Sequence, residues 1–113
     1  MKWAFIYTLD DDAEPERRDE IGSLVCVGVR SPDKATALAR QLVAEGVELI
    51  ELCGGFGGAG LGAIVSAVGG QVPVGAVFYG VDASKGLRRL FGSQSTTAPP
   101  SNALQATRED ARA

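Results

Sequence analysis

Hydrophobic residues along the first 80 positions form short blocks with two different periodicities. Four blocks are nearly continuous runs of apolar, aromatic or β-branched residues, which are typical of strands. They cover residues 2–9, 24–30, 47–53 and 72–79. Between the second and third blocks, apolar residues recur with the spacing of one helical face, at Ala35, Leu38, Ala39, Leu42 and Val43. This order predicts a strand, a helix and a strand in a parallel crossover unit.

Start and stop signals bound the predicted helices. Ser31 and Pro32 supply an N-cap and a first-turn proline, and Gly46 supplies a left-handed C-terminal cap. A second helix is predicted at 58–68, where almost no polar side chain occurs. A third helix begins after the last strand and is predicted to carry its apolar residues on one side, at Leu87, Leu90 and Phe91.

The succession of elements predicts an α/β fold, a small three-layer sheet of about four mainly parallel strands with two or three helices. Residues 1–91 are predicted to form a single domain. Residues 92–113 contain few large apolar groups and are predicted to be a flexible tail. A four-stranded parallel sheet has little core, and the apolar helix at 58–68 needs cover, so a homo-oligomer is expected.

The excess of acidic residues is concentrated in one short segment of the chain. The net charge is −3, but residues 10–20 hold seven acids and two bases, which predicts a solvated loop or short helix, with metal or basic-partner binding as the alternative. Neither this run nor the remainder is basic enough to neutralise many phosphates, so no nucleic-acid partner is expected. No apolar run approaches the ~20 residues that cross a bilayer, so no membrane partner is expected.

Cysteine and histidine usage narrows the chemistry further. Cys26 and Cys53 lie inside apolar runs, and no signal peptide is recognised, so a reduced cytoplasmic protein is expected, with Cys26 in the core. The chain has no His. Catalytic triads and dyads that need an imidazole are therefore excluded within one chain, and no metal site is predicted.

Ligands of open parallel sheets bind beyond the carboxyl ends of the strands. That edge is expected to bring together Thr8, Asp10, Arg30, residues 51–55 and residues 79–82. Glu51 interrupts the apolar end of a strand that we expect to be covered on both faces. It is a candidate acid/base or an anchor for a ligand amine or hydroxyl. The alternative is a carboxylate that backbone amides or Arg30 satisfy, or that points into a solvent groove.

Two further residues complete the catalytic candidates. Cys53 has the same strand parity as Glu51 and immediately precedes a glycine-rich turn, where a thiolate would depend on a helix N-terminus or a cation. The alternative for Cys53 is a small apolar filler. Tyr79 ends the last strand and either lines the pocket or sends its hydroxyl to water or backbone. Trp3 and Phe5 share parity with Tyr7 and are predicted to pack in the core or in a subunit interface.

The glycine-rich turn contains a formal GxGxxG motif at Gly55, Gly57 and Gly60, between a strand and a helix. Amides at such a helix start attract phosphate or carboxylate groups. The alternatives are a tight turn with close helix packing, or a nicotinamide or flavin site. Two mononucleotide halves do not fit in ninety residues, so no cofactor is predicted. The candidate ligand-binding residues are Thr8, Arg30, Gly54, Gly55, Phe56, Gly57, Gly58 and Asp82.

Three segments, MKWAFIYT, DKATALARQLVAEGVELIELCGGFG and VPVGAVFYG, resemble a family of small bacterial proteins of unknown function. These share a K-W/Y-A-F-I-Y strand and a segment G-V-E-L-I-E-L-C-G-G-F-G. The resemblance covers about residues 1–82, and its most specific part is Glu51 to Gly57. It implies a compact α/β domain and no established activity. The strand–helix–strand unit is also similar to one unit of aldolase-type barrels, which is a fold-level analogy only.

These observations predict a small-molecule-binding α/β protein in which a carboxylate lies beside a glycine-rich, anion-binding turn. If the protein is an enzyme, metal-free proton transfer of the isomerase, cyclase or lyase type is expected, and the sequence leaves open whether it is one. The alternative is a non-catalytic oligomeric binding or assembly module, in which the helix at 58–68 makes the contact between subunits.

Overall fold

The computed structural model describes residues 1–9 and 15–97. The chain separates into two compact units, of which the first ends at Phe78 and the second begins at Tyr79. The first unit contains the strands β1 (Trp3–Thr8), β2 (Arg17–Ile21), β3 (Leu24–Val29), β4 (Leu49–Leu52) and β5 (Val74–Ala76), and the helices α1 (Ala35–Ala44) and α2 (Gly57–Val68). The second unit contains α3 (Ser84–Thr97). In the described part of the chain, none of the helices combines the length and the apolar composition needed to span a membrane.

The five strands form one mixed sheet in the order β2-β3-β1-β4-β5. β1 pairs in parallel with β3 and β4, β4 pairs in parallel with β5, and β2 is antiparallel to β3. The α/β class is confirmed, and the prediction of about four mainly parallel strands is corrected to a mixed five-stranded sheet. Four of the five residues of β2 are charged, as is common on an edge strand, so the strand gave no hydrophobic signal. The loop or short helix predicted for the acidic run is therefore wrong from residue 17, and residues 10–14 lie outside the described residues.

The core of the first unit lies on one face of the sheet. Ala4 and Ile6 of β1 are fully buried there, as are Ala39 and Leu42 of α1. Ile64 and Val68 of α2 belong to the same cluster. Because both helices pack on this face, the first unit has two layers rather than the three predicted. The opposite face also carries apolar side chains, so the hydrophobic pattern did not distinguish the two.

Glycines end both helices of the first unit. Gly46 follows α1 with a φ of 100°, and Gly69 follows α2 in the left-handed conformation with a φ of 58°. Residues without a Cβ adopt these conformations at little cost. At the start of α1, a single 3-10 turn at Pro32–Lys34 follows Ser31, whose side chain makes no capping hydrogen bond.

In the second unit, a 3-10 turn at Val81–Ala83 leads into α3. The Ser84 hydroxyl donates to the Val81 carbonyl at 2.8 Å, which links the 3-10 turn to the first residue of α3. Phe91 has non-helical dihedral angles, φ −124° and ψ 20°, so α3 is kinked there. The predicted boundary between residues 91 and 92 falls inside α3, and residues 98–113 of the predicted tail lie outside the described residues.

Candidate functional site

The carboxyl ends of three parallel strands meet at one edge of the sheet. Thr8 pairs with Val29 at the ends of β1 and β3, and the Cys53 amide, just beyond β4, donates to the Ile6 carbonyl at 3.0 Å. Arg30 follows Val29 directly. The edge predicted from the topology therefore brings together Thr8, Arg30 and the segment after Leu52, because β1, β3 and β4 run in the same direction.

Cys53 closes the turn between β4 and α2. Its Sγ accepts the backbone N–H groups of Thr8 at 3.4 Å and Gly55 at 3.3 Å, and it lies 3.7 Å from Thr8 Oγ1. The side chain is half-buried at the N-cap of the 3-10 turn Gly54–Phe56. The sulfur therefore serves as an acceptor that joins the end of β1 to the glycine turn.

Each glycine of the GxGxxG motif has a local packing or conformational reason. A Cβ at Gly55 would lie 2.5 Å from Thr8 Oγ1, and a Cβ at Gly60 would lie 2.9 Å from the Phe56 Cβ. Gly57 has a φ of 63°. These contacts and this dihedral angle correspond to the predicted alternative of a tight turn with close helix packing.

The amides of this turn are largely engaged within the protein. The N–H of Gly55 donates to Cys53 Sγ, that of Phe56 to the Cys53 carbonyl at 3.2 Å, and that of Gly57 to the Gly54 carbonyl. Three of the amide groups predicted to hold an anion therefore already have acceptors. Gly58 lies in the first turn of α2, and a Cβ at this position would have nothing within 4 Å.

Glu51 lies on the face of the sheet opposite the core, which we call the open face because neither α1 nor α2 covers it. Its register neighbours are Phe5 on β1 and Gly75 on β5. The side chain is exposed and borders a cavity of about 200 Å³ with Gly75, Ala76 and Val77. In the described part of the chain, neither a hydrogen bond nor an ion pair reaches its carboxylate. Within the first unit, β4 is thus covered on one face, which corrects the expectation of cover on both.

Aromatic side chains line the open face along the central strand. The rings of Phe5 and Tyr7 are stacked with their centroids 6.3 Å apart, and the Tyr7 ring lies over Gly28, where a Cβ would come within 2.7 Å of it. Trp3 and Cys26 are half-buried on the same face. Burial raises the pKa of the Cys26 thiol, and the Asp19 carboxylate adds to the effect. The prediction of a core position is wrong for Cys26. Trp3 and Phe5 lie outside the core of the first unit, and the other half of their prediction, a subunit interface, stays a prediction.

The remaining candidates are Arg30, at the shared edge, and two residues of the second unit. Arg30 is exposed, and its backbone N–H donates to Glu16 Oε2 at 2.8 Å. Tyr79, 62% exposed, and Asp82, in the turn before α3, belong to the second unit. The structure describes these two residues only within that unit, and their place beside Glu51 stays a prediction. Among the described residues, no three carboxylate or thiol groups are gathered so that they could hold a metal ion.

A second cavity, between β2 and α1, was missed by sequence reasoning because β2 itself was missed. It measures about 300 Å³, and its rim includes Arg18, Lys34 and Glu16. Arg18 is paired with Glu45, and Lys34 Nζ lies 3.8 Å from Glu16 Oε2. Hydrogen bonds from Arg18 and then Gln41 lower the pKa of the Glu45 carboxyl to about 2. The first pair joins the edge strand to the C-cap of α1, and the second joins the residue before β2 to the turn before α1.

The chain belongs to DUF6506, a family of unknown function whose model matches residues 1–92. The match covers the whole sheet, α1, α2 and the beginning of α3. No curated protein and no solved structure is similar enough to this chain to count as a match.

Proposed function

We propose that this protein binds a small molecule on the open face, with Glu51 as the anchor. One observation carries the proposal: an exposed carboxylate, which has no partner among residues 1–9 and 15–97, borders a cavity of about 200 Å³. A carboxylate accepts hydrogen bonds and attracts positive charge. The ligand class that fits is therefore a small molecule with an ammonium or hydroxyl group.

The surroundings of Glu51 favour an apolar body on that ligand. Phe5 is its neighbour on one side in the sheet register, and Gly75, on the other side, leaves space because it has no side chain. Ala76 and Val77 also line the cavity. Pockets that combine apolar walls with a few polar groups are typical of small-molecule sites.

The proposed ligand differs from the one expected from the sequence, which carries an anionic group at the glycine-rich turn. An anionic group at the glycine turn would compete with Cys53 Sγ and two carbonyls for the amides of residues 55–57. It would also be repelled by Glu51 if it extended along the open face. A cationic or neutral donor group has neither difficulty.

We further propose that Glu51 acts as an acid or base on the bound ligand. A carboxylate that anchors an amine or hydroxyl can also transfer a proton to or from a bound ligand, which would serve an isomerase, cyclase or lyase. We place this activity in the reducing cytoplasm, and the two free cysteines support that setting.

The test compares three probes of one shape and different charge: benzylamine as its ammonium ion, benzyl alcohol and benzoate. We expect the full chain to bind benzylammonium most tightly and benzoate least, as measured by NMR titration. Glu51→Gln should remove the preference for the ammonium ion. Glu48→Gln is the matched control, because it removes the same charge from an exposed residue that directly precedes β4. Equal affinities for the three probes, or equal effects of the two variants, would contradict the proposal.

A further inference from the structure

One row of side chains on the open face is apolar across four strands. The sheet register pairs Ile21 with Leu24, Leu24 with Trp3, and Trp3 with Leu49. We call these four residues the apolar band. Ile21 is 64% exposed, and the other three are half-buried. A continuous apolar row at a surface is typical of an interaction site.

The edges of the sheet are unsuited to pairing with another strand. On one edge, β2 carries charged side chains from Arg17 to Glu20. On the other, β5 has three residues and follows Pro73. Charged and very short edge strands are known devices against edge-to-edge association. A second chain that associates with this sheet would therefore contact a face rather than extend the sheet.

The outer surface of α2 offers less apolar area than the band. Its exposed positions are mainly Gly, Ala and Ser, and its largest exposed side chain is Val65, at 44%. The band instead presents one tryptophan, one isoleucine and two leucines. Large apolar side chains contribute most of the free energy of association per residue. The band is thus a better contact than the helix that the sequence suggested.

We propose that the apolar band packs against the same band of a second copy, in a two-fold homodimer with the open faces in contact. A two-fold interface places the same patch on both subunits, so the patch must match itself. An uncharged apolar row matches a copy of itself, because its contacts need no charge of opposite sign on the partner. The neighbouring row on the same face carries the carboxylates of Asp19 and Glu51. A basic partner would bind that row rather than the apolar band.

The size of the face is consistent with a dimer. β1 and β3 are six residues long, so the five-stranded face measures about 24 Å by about 20 Å, or about 480 Å² in plan per copy. Two copies give about 960 Å² in plan, and specific interfaces begin at about 1,200 Å² of accessible surface. Side chains make the accessible area larger than the plan area. An interface near this lower limit is typical of a weak, reversible association.

The test is sedimentation velocity of the full chain over micromolar concentrations, with two matched variants. Ile21→Lys adds a charge to the band, and Val65→Lys adds the same charge to the outer surface of α2. Both positions are exposed, so both variants should keep the wild-type circular dichroism spectrum and, at concentrations below the dimer range, the wild-type thermal transition. We expect a monomer–dimer equilibrium that Ile21→Lys weakens at least tenfold and that Val65→Lys leaves unchanged.

Three results would overturn the inference. One is a wild-type monomer at every concentration, and another is a dimer that Val65→Lys dissociates, which would place the interface on α2. The third is an oligomer that both variants leave intact. The cavity beside Glu51 lies on the same face, so a second copy and the proposed ligand would meet there. Sedimentation is therefore measured without any probe, which keeps a failure of the dimer distinguishable from a failure of the proposed ligand site.

Trp3 provides a second readout from the band itself, since it is the single tryptophan of the chain. Dilution through the dissociation range should shift its emission to longer wavelength as the band becomes hydrated. In Ile21→Lys, the emission should already be shifted and should no longer depend on concentration. A wild-type dimer that dissociates without a change in Trp3 emission would place the interface elsewhere.

Discussion

The two faces of the sheet carry similar apolar side chains but meet different surroundings. On the core face, Ile6 and Leu52 are fully buried beneath α1 and α2. On the open face, Trp3, Phe5 and Leu49 are half-buried, and the charged Glu51 lies among them. Composition alone therefore does not identify the core. The charged residue in β4 identifies the face that neither α1 nor α2 covers.

The largest expected effect is the loss of stability when a leucine of β4 is truncated on the core face rather than on the open face. Leu52→Ala should lower the free energy of unfolding by about 2–5 kcal/mol, because it leaves a cavity in the core. Leu49→Ala should cost about 1 kcal/mol or less at low protein concentration, since the side chain is half-buried. Urea denaturation of both variants measures the difference. Equal losses would mean that the open face is as well packed as the core.

The next effect concerns the glycine turn. Gly55→Ala should destabilise the protein by about 1–3 kcal/mol, because the new Cβ would meet Thr8 Oγ1. Gly62→Ala is its matched control on α2, where nothing lies within 4 Å of the added Cβ, and it should stabilise by about 0.5–1 kcal/mol. Thermal unfolding measures both changes. A neutral Gly55→Ala would show that Thr8 moves aside and that the packing reason for this glycine fails.

The smallest effect is electrostatic and lies on the edge strand. The pKa of Glu45 falls from its ordinary value of 4.5 to about 2 beside Arg18. The stability contributed by this pair is therefore complete above about pH 4.5 and lost as the pH falls towards 2. We expect the urea midpoint of the wild type to exceed that of Glu45→Gln at neutral pH, by an amount that shrinks over this window. Both side chains are about one-third exposed, so the difference should be small and should decrease with salt.

Sequence reasoning predicted the elements whose signals are local. The spacing from Ala35 to Val43 indicated α1, and the apolar runs indicated β1, β3 and β4. β2 was missed because four of its five residues are charged, and only its pairing with β3 makes it a strand. The open face was missed because apolar residues on β1 alternate with other apolar residues, which is also the pattern of a strand covered on both faces.

The candidate site shows the same division between local and tertiary information. The crossover unit predicted that β3 and β4 run in the same direction, which places Arg30 and Cys53 at one edge. Thr8 joins them because β1 is parallel to both strands, and the crossover unit does not contain β1. The reason for Gly55 depends on Thr8 Oγ1, a contact between residues 47 positions apart that no local pattern contains. The setting of Glu51 likewise depends on which face the helices cover. Both observations move the proposed ligand from the turn to the open face.

The most direct test of that central claim is a chemical-shift map of the full chain titrated with benzylammonium and, separately, with benzoate. We predict saturable shifts at the amides of Glu51, Gly75 and Val77 with benzylammonium, and none at Gly58 with benzoate. Saturable benzoate shifts at Gly58, with β4 and β5 unaffected by benzylammonium, would contradict it and return the site to the glycine turn.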